Sequence, residues 1–335
     1  MRTKPALSLA FCLLLLAAAS FGGLMTGTLA LSPEQVFQAL LGAELPDRGH
    51  LILWEIRMPR LLLALCTGGV LALAGFFMQV LIKNPLADPY IMGLTAGAGF
   101  GVNLVILGLV PIASYTLFTY PLFAAGGAMV SLLLLLVLGF RSFMEDNARL
   151  LIAGVAVSSI FMALTGFLIY RVADSDQVRR LVFWTFGSFG RASWEAVWVS
   201  FAMLIIACVF GWVYARRMDV MLLGDQQAQS LGMRVVRMKL GLLVVSSLVV
   251  GGTVAFTGPV GFVGMMIPHF SRALFGASHR PNMILGPLMG AAYLAGCDVI
   301  SRWLLPPAGL PIGIITSILG VPFFLYILFS GKSYL

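Results

Sequence analysis

The sequence predicts an all-α membrane protein, a polytopic bundle of about ten transmembrane helices in two related halves. Hydrophobic residues make up 60% of the 335 positions and charged residues only 10%, against about 25% in a soluble domain. The mean hydropathy is +1.00. The apolar runs are long and unalternating. In lipid only helices and closed barrels satisfy their own backbone, and runs near the roughly 20 residues a spanning helix needs select helices.

The first run, 7–30, follows a basic start at Arg2 and Lys4. A cleavable signal peptide opens the same way, but its apolar core is about 7–15 residues. Here the apolar run reaches Leu31, so an uncleaved first helix is expected. The second run, 58–82, is glycine-rich and ends at KNPLADPYIMGLTAGAGFG (83–101). Pro85 and Pro89 have no N–H and stop the helix before them, and the glycines that follow allow the third run, 92–110, to pack tightly. The fourth and fifth runs are 118–140 and 149–170. An external connection, 171–197, then leads to the sixth, 194–214. Its amphipathic mixture, with Trp184 and Trp194, predicts a short interfacial helix, although aromatic belt anchoring alone also accounts for the tryptophans. A polar interruption at 214–239 precedes the seventh, eighth, ninth and tenth runs, 236–256, 259–276, 282–301 and 311–329. The whole chain, 1–335, reads as a single transmembrane domain.

An even number of spans puts both termini on one side, and the excess of Lys and Arg marks that side as cytoplasmic. With the termini inside, thirteen of the 21 Lys and Arg face the cytoplasm, Lys83 among them, and eight face outward. The net charge of +8 does not indicate nucleic acid, because the basic residues punctuate apolar runs and do not gather on one polar face. Cys12, Cys66, Cys208 and Cys297 lie singly in apolar segments with no CxxC spacing, and read as buried small hydrophobes. Gly68-Gly69, Gly75 and Pro85 recur at the same spacing as Gly251-Gly252, Gly258 and Pro268. Internally repeated halves are common in transporters, whereas close helix packing alone also favours membrane glycines.

Enzymatic readings find no support. There is no HExxH and no paired aspartate set inside a span, and His50, His269 and His279 fall in loops or at helix ends. No metal site is expected. Asp298 is the one acid deep in a span. An intramembrane acid is a functional candidate by default, and a proton-coupled secondary transporter, the alternative function for this chain, needs such a carboxylate. Arg302 at i+4 offers it a structural partner instead.

RMPR (57–60), MQVLIKNPLADPYIMGLTAGAGFG (78–101), LLGDQQAQSLGM (222–233), FTGPVGFVGMMIPHFSRALFG (256–276) and LPIGIITSILGVPFF (310–324) resemble, in order and over nearly the whole chain, the FecCD-type (type II) permease subunits of ABC importers for iron siderophores, haem and vitamin B12. The resemblance implies a homodimer with the path on its axis, two cytoplasmic ATP-binding subunits, and a periplasmic or lipid-anchored binding protein. It also implies a bacterial or archaeal inner membrane. The chain has no GxxxxGK[ST] loop, so ATP and Mg are expected on the partner ATPase and no cofactor on this chain.

Within 214–239, Asp225 to Leu231 reads as a short helix between Gly224 and Gly232, which suit its start and stop. The resemblance makes this loop the ATPase-coupling piece, with Gly224, Ala228, Leu231 and Gly232 as coupling residues; a plain solvated loop is the other reading. It likewise makes Arg57, Arg60 and Arg302 docking residues for the binding protein, a task suited to the planar guanidinium fork. Local pairing of Arg57 with Glu55 or Glu34, and of Arg302 with Asp298, remains open. The family usually has a Glu just before LPIG, where this chain has Gly309. Asn84 and Leu86 fall at the family's cytoplasmic gate, with Asn147 and Ala148 as a second constriction; a tight interhelical turn capped by Asn84 is the bland alternative. Gln79 either faces the path or bonds a neighbouring helix. A large cargo is expected, a ferric siderophore or haem, with cobalamin also compatible.

Overall fold

The computed structural model describes the chain except residues 1–4, 28–30, 44–48, 111–115, 140–146, 173–174, 307–308 and 331–335. Among the described residues all regular structure is helical. The helices are α1 (Pro5–Met25), α2 (Pro33–Leu40), α3 (Gly49–Ile82), α4 (Leu94–Ile106), α5 (Thr119–Gly139), α6 (Asn147–Arg171), α7 (Ser175–Thr185), α8 (Trp194–Met221), α9 (Asp225–Ser230), α10 (Val235–Thr257), α11 (Val263–Phe275), α12 (His279–Leu304) and α13 (Ile312–Ser330).

Each of the ten expected spans coincides with a helix, and seven of these are long and apolar enough to cross a membrane. Two expected spans are cut short. α4 and α11 have 13 residues each, about 20 Å at 1.5 Å per residue, less than a bilayer core. Both begin on a residue in the left-handed region, Gly93 at φ 83 and Phe262 at φ 69. In each case the pattern is a long helix, a break, a 13-residue helix and another long helix (α3–α4–α5 and α10–α11–α12). The halves therefore correspond through these breaks. The glycine spacing does not carry the register: Gly75 lies inside α3 while Gly258 ends α10, and Pro85 is in a turn while Pro268 is inside α11.

α3 is the centre of the bundle. Its apolar window is 89% buried, and it packs on α8, α10, α11 and α12. Gly68 sets the closest approach, because a Cβ there would overlap the carbonyl of Gly290 on α12. α3 starts earlier than the expected 58–82, through a π-helical stretch at Ile52–Arg57. The capping box that opens α2, Ser32 with Gln35, is a legible sequence signature. α7 is a helix in the connection between α6 and α8, as expected, but Trp184 is no belt residue. It packs into the core and lies against Gly99 of α4.

Candidate functional site

The turn after α3 is built by side chains. Lys83 ends the helix at φ 52. The amide of Leu86 then donates to Asn84 Oδ1 at 2.9 Å, and that of Tyr90 to Asp88 Oδ1 at 2.7 Å. These two Asx turns satisfy a backbone interrupted by two prolines. Gln79, fully buried, donates through Nε2 to the carbonyl of Pro85 at 2.8 Å and to those of Gly264 and Met265 at 3.3 Å, and Arg272 of α11 donates to its Oε1. The open question about Gln79 is thus answered: it staples the turn to the start of α11. The carboxylate of Asp88 faces the backbone amides, not the carbonyls, of Gly264 and Met265. Burial pushes its pKa up to about 6, against the opposing pull of those amides and that of Tyr90.

The polar interruption is shorter than 214–239, because α8 continues to Met221 and α10 begins at Val235. α9 occupies it, with Gly224 as N-cap. At its far end Gly232 adopts φ 81. Its amide donates to the Gln229 carbonyl at 2.9 Å and the Met233 amide donates to the Ala228 carbonyl at 3.0 Å, the Schellman pair that stops a helix. The expected residues divide by direction. Ala228 is fully buried, whereas Leu231 is 65% exposed and Leu223 is 58% exposed.

Asp225, the first residue of α9, joins these two regions. Its Oδ1 is 2.7 Å from Lys83 Nζ, and its Oδ2 is 2.6 Å from the buried Lys239 Nζ of α10. Burial alone raises the Asp225 pKa, but the two ammonium groups outweigh it and hold the carboxyl below the usual range. Sequence reasoning missed this residue. The available signal was Lys239, a cation that follows Arg234 and Arg237 into the apolar run 236–256 and needs a counter-charge once buried there.

At the opposite end of α3 the three predicted arginines converge. Arg60 grips Asp298 through Nε and Nη2 at 2.8–3.1 Å, and Arg302 Nη2 holds the other carboxylate oxygen at 3.0 Å. Arg302 Nη1 also donates to the carbonyls of Gly23 and Thr26 at 2.9 and 2.6 Å. Arg57 Nη1 donates to those of Leu24 and Met25 at 2.6 and 3.0 Å. Two cations therefore cap the C-terminus of α1, where the helix dipole favours them. Arg57 is buried, and of the three Arg60 reaches the surface most. Gly309, at φ 74, stands beside Arg60 and Arg302, so Asp298 supplies the only described carboxylate that pairs with this cluster.

A cavity of about 570 Å³ opens between α4, α6 and α7, lined by Thr95, Asn103, Ser158, Phe161 and Trp184 among others. α6 forms one wall and is the least covered long helix, with 17% of its apolar window buried. Its first two residues, Asn147 and Ala148, have side chains outside the described residues.

The profile of the FecCD transport family matches residues 13–330. The chain belongs to the FecCD transport family. This FecCD protein is 36% identical to the hemin transport system permease protein HmuU of Yersinia pestis, over 99% of this chain and 98% of that one. It is 35% identical to the vitamin B12 import system permease protein BtuC of Klebsiella pneumoniae, over 87% and 86% respectively. It superposes with a TM-score of 0.84, at 28% identity and over 98% and 100% of the two chains, on a solved structure described as an inward-facing conformation of a metal-chelate type ABC transporter. The blocks that carried the resemblance are thus the Arg57–Arg60 stretch of α3, the turn after α3, α9, α11 and most of α13 of a FecCD protein.

Proposed function

We propose that the chain is the membrane-spanning permease of an ATP-driven importer for a metal chelate, haem or a ferric siderophore, with cobalamin as the further candidate. It works as a homodimer whose second copy covers α6 and completes the path along the cavity beside it. Two cytoplasmic ATP-binding subunits, which carry ATP and Mg, dock on α9. A periplasmic or lipid-anchored binding protein delivers cargo at the end of α3 that carries Arg57, Arg60 and Arg302. The assembly sits in a bacterial cytoplasmic membrane with both termini inside.

The observation that carries this reading is α9. A six-residue helix, capped at both ends and exposing Leu223 and Leu231, has a shape for docking, and Asp225 fastens it to the turn that holds Asn84 and Leu86. In that turn Asn84 holds the backbone and Leu86 forms the closure; Asn147 and Ala148 form the second constriction. At the outer end Arg60 meets acidic side chains of the binding protein, and Arg57 and Arg302 fix α1 beneath it. The proton-coupled alternative loses its carboxylate, because both oxygens of Asp298 are occupied by guanidinium groups.

ATP-driven uptake into proteoliposomes holding this chain, its ATPase and its binding protein, with haem, a ferric siderophore and cobalamin side by side, tests the reading. Accumulation of one ligand names the cargo. Uptake driven by a proton gradient without ATP overturns the importer assignment.

A further inference from the structure

Next to α9 lies a cavity that none of the roles above uses. It measures about 450 Å³ and sits between the last turns of α8 and the first turns of α10. Its lining has two parts. Phe210, Tyr214 and Met238 form an apolar floor, and Arg217, Arg234 and Arg237 form the rim. All three arginines are exposed, and among the described residues no carboxylate lines the cavity. The acids nearest in sequence are engaged elsewhere: Asp219 with His279 at 2.6 Å, and Asp225 with Lys83 and Lys239. The Arg217 guanidinium lies 5.1 Å over the Tyr214 ring, against the cavity wall. Arg280 of α12 lies 4.7 Å over Trp212 on the same stretch of α8, the aromatic-and-arginine pairing of a membrane surface.

Position and lining together define the occupant. α8 and α10 are both membrane-crossing helices, and the cavity lies where they leave the apolar zone. A ligand there needs an anionic head for the rim and an apolar tail for the floor. A guanidinium fork matches phosphate oxygens, and basic pockets between spanning helices collect anionic headgroups. We propose that this cavity is a binding site for an anionic phospholipid, its phosphodiester held by Arg217, Arg234 and Arg237 and its upper acyl chain laid on Phe210 and Met238. A free phosphate supplies the head without the tail. Gly241 keeps the floor open, since a Cβ there would already be 3.5 Å from the Phe210 ring. Gly232 and Met233, which stop α9, also line the cavity, so the bound lipid braces the helix that we assign to ATPase docking. The lipid site itself rests on the membrane architecture and not on the cargo.

The test is native mass spectrometry of the purified full chain, titrated with dioleoylphosphatidylglycerol, dioleoylphosphatidylcholine or inorganic phosphate. Phosphatidylglycerol is expected to bind at least tenfold more tightly than phosphatidylcholine and to resist displacement by millimolar phosphate. The triple variant R217Q/R234Q/R237Q is expected to lose on the order of a hundredfold in phosphatidylglycerol affinity, and Gly241→Leu to lose affinity with all three charges retained. R179Q/R180Q/R191Q, which removes the same charge near α7, leaves binding unchanged. Equal phosphatidylglycerol retention by the first triple variant and the wild type overturns the proposal. Displacement by phosphate overturns the lipid in favour of a free anion. Loss of ATPase association in that variant with unchanged lipid binding reassigns the arginines to a protein partner.

Discussion

Lys83 Nζ lies 2.7 Å from Asp225 Oδ1, so the residue that caps the end of α3 and the first residue of α9 form one ion pair. Lys239 completes it from α10. Asp225→Asn keeps the shape and removes the charge. Its expected effect is a loss of about 1–3 kcal/mol in stability and a drop of on the order of tenfold in transport per ATP, with the ATPase still associated. Thermal unfolding and the ratio of uptake to hydrolysis measure these. An unchanged ratio rules out the link.

The two aspartates of this region respond to pH in opposite senses. Asp88 has its pKa raised from 3.8 to about 6, so between these values the folded turn holds a proton that the unfolded chain has released. Stability from this group falls as pH rises through that window. Asp225 has its pKa lowered, so its contribution persists through the same window and is lost only as pH falls below the usual carboxylate range. Melting temperatures at pH 7 and pH 5, compared between wild type and Asp88→Asn, should show a pH-dependent gain on acidification in the wild type that the variant lacks.

Ala228 and Leu231 are expected to fail differently. Ala228 is fully buried, so Ala228→Glu forces a charge into the base of α9 and costs both stability and ATPase association. Leu231→Ala removes an exposed side chain and leaves the unfolding free energy within about 0.5 kcal/mol of wild type, while weakening ATPase co-purification. Equal co-purification by Leu231→Ala and wild type excludes Leu231 from the contact.

Asp298→Asn separates structure from transport chemistry. Removing a buried carboxylate held by Arg60 and Arg302 costs about 3–5 kcal/mol, read by denaturation in detergent. The surviving protein should still take up cargo with ATP alone, because no proton passes through this group.

Gly68→Val tests the packing of α3 on α12. Its Cβ would overlap the Gly290 carbonyl, and backbone cannot yield as a flexible side chain does. A loss above about 3 kcal/mol, or failure to recover folded protein, is expected.

The ten spans were legible because apolar length is a property of neighbouring residues; α2 escaped, although its capping box of Ser32 and Gln35 is equally local. The caps of α9 were legible for the same reason: Gly224 and Gly232 act on amides and carbonyls within a few positions. What escaped was the pairing of Lys83 with Asp225, 142 positions apart, and of Arg60 with Asp298, 238 apart. A lone charge announces that it needs a partner without naming one. Arg57 shows a further limit. Its place at the start of the second expected span was readable, but its direction depends on a π-helical turn that points the side chain under α1. The short lengths of α4 and α11 were also hidden, since the apolar residues flanking them continue the pattern after the backbone has turned.

α3 carries an ion pair near each end, Arg60 with Asp298 and Lys83 with Asp225. The 23 residue steps from Arg60 to Lys83 span about 35 Å along the helix axis, with no proline in the stretch and no side chain separating it from α12 at Gly68. Such a segment behaves as a stiff lever. A tilt of α3 at Arg60 would reach Lys83 as a displacement, with no loop having to refold between them.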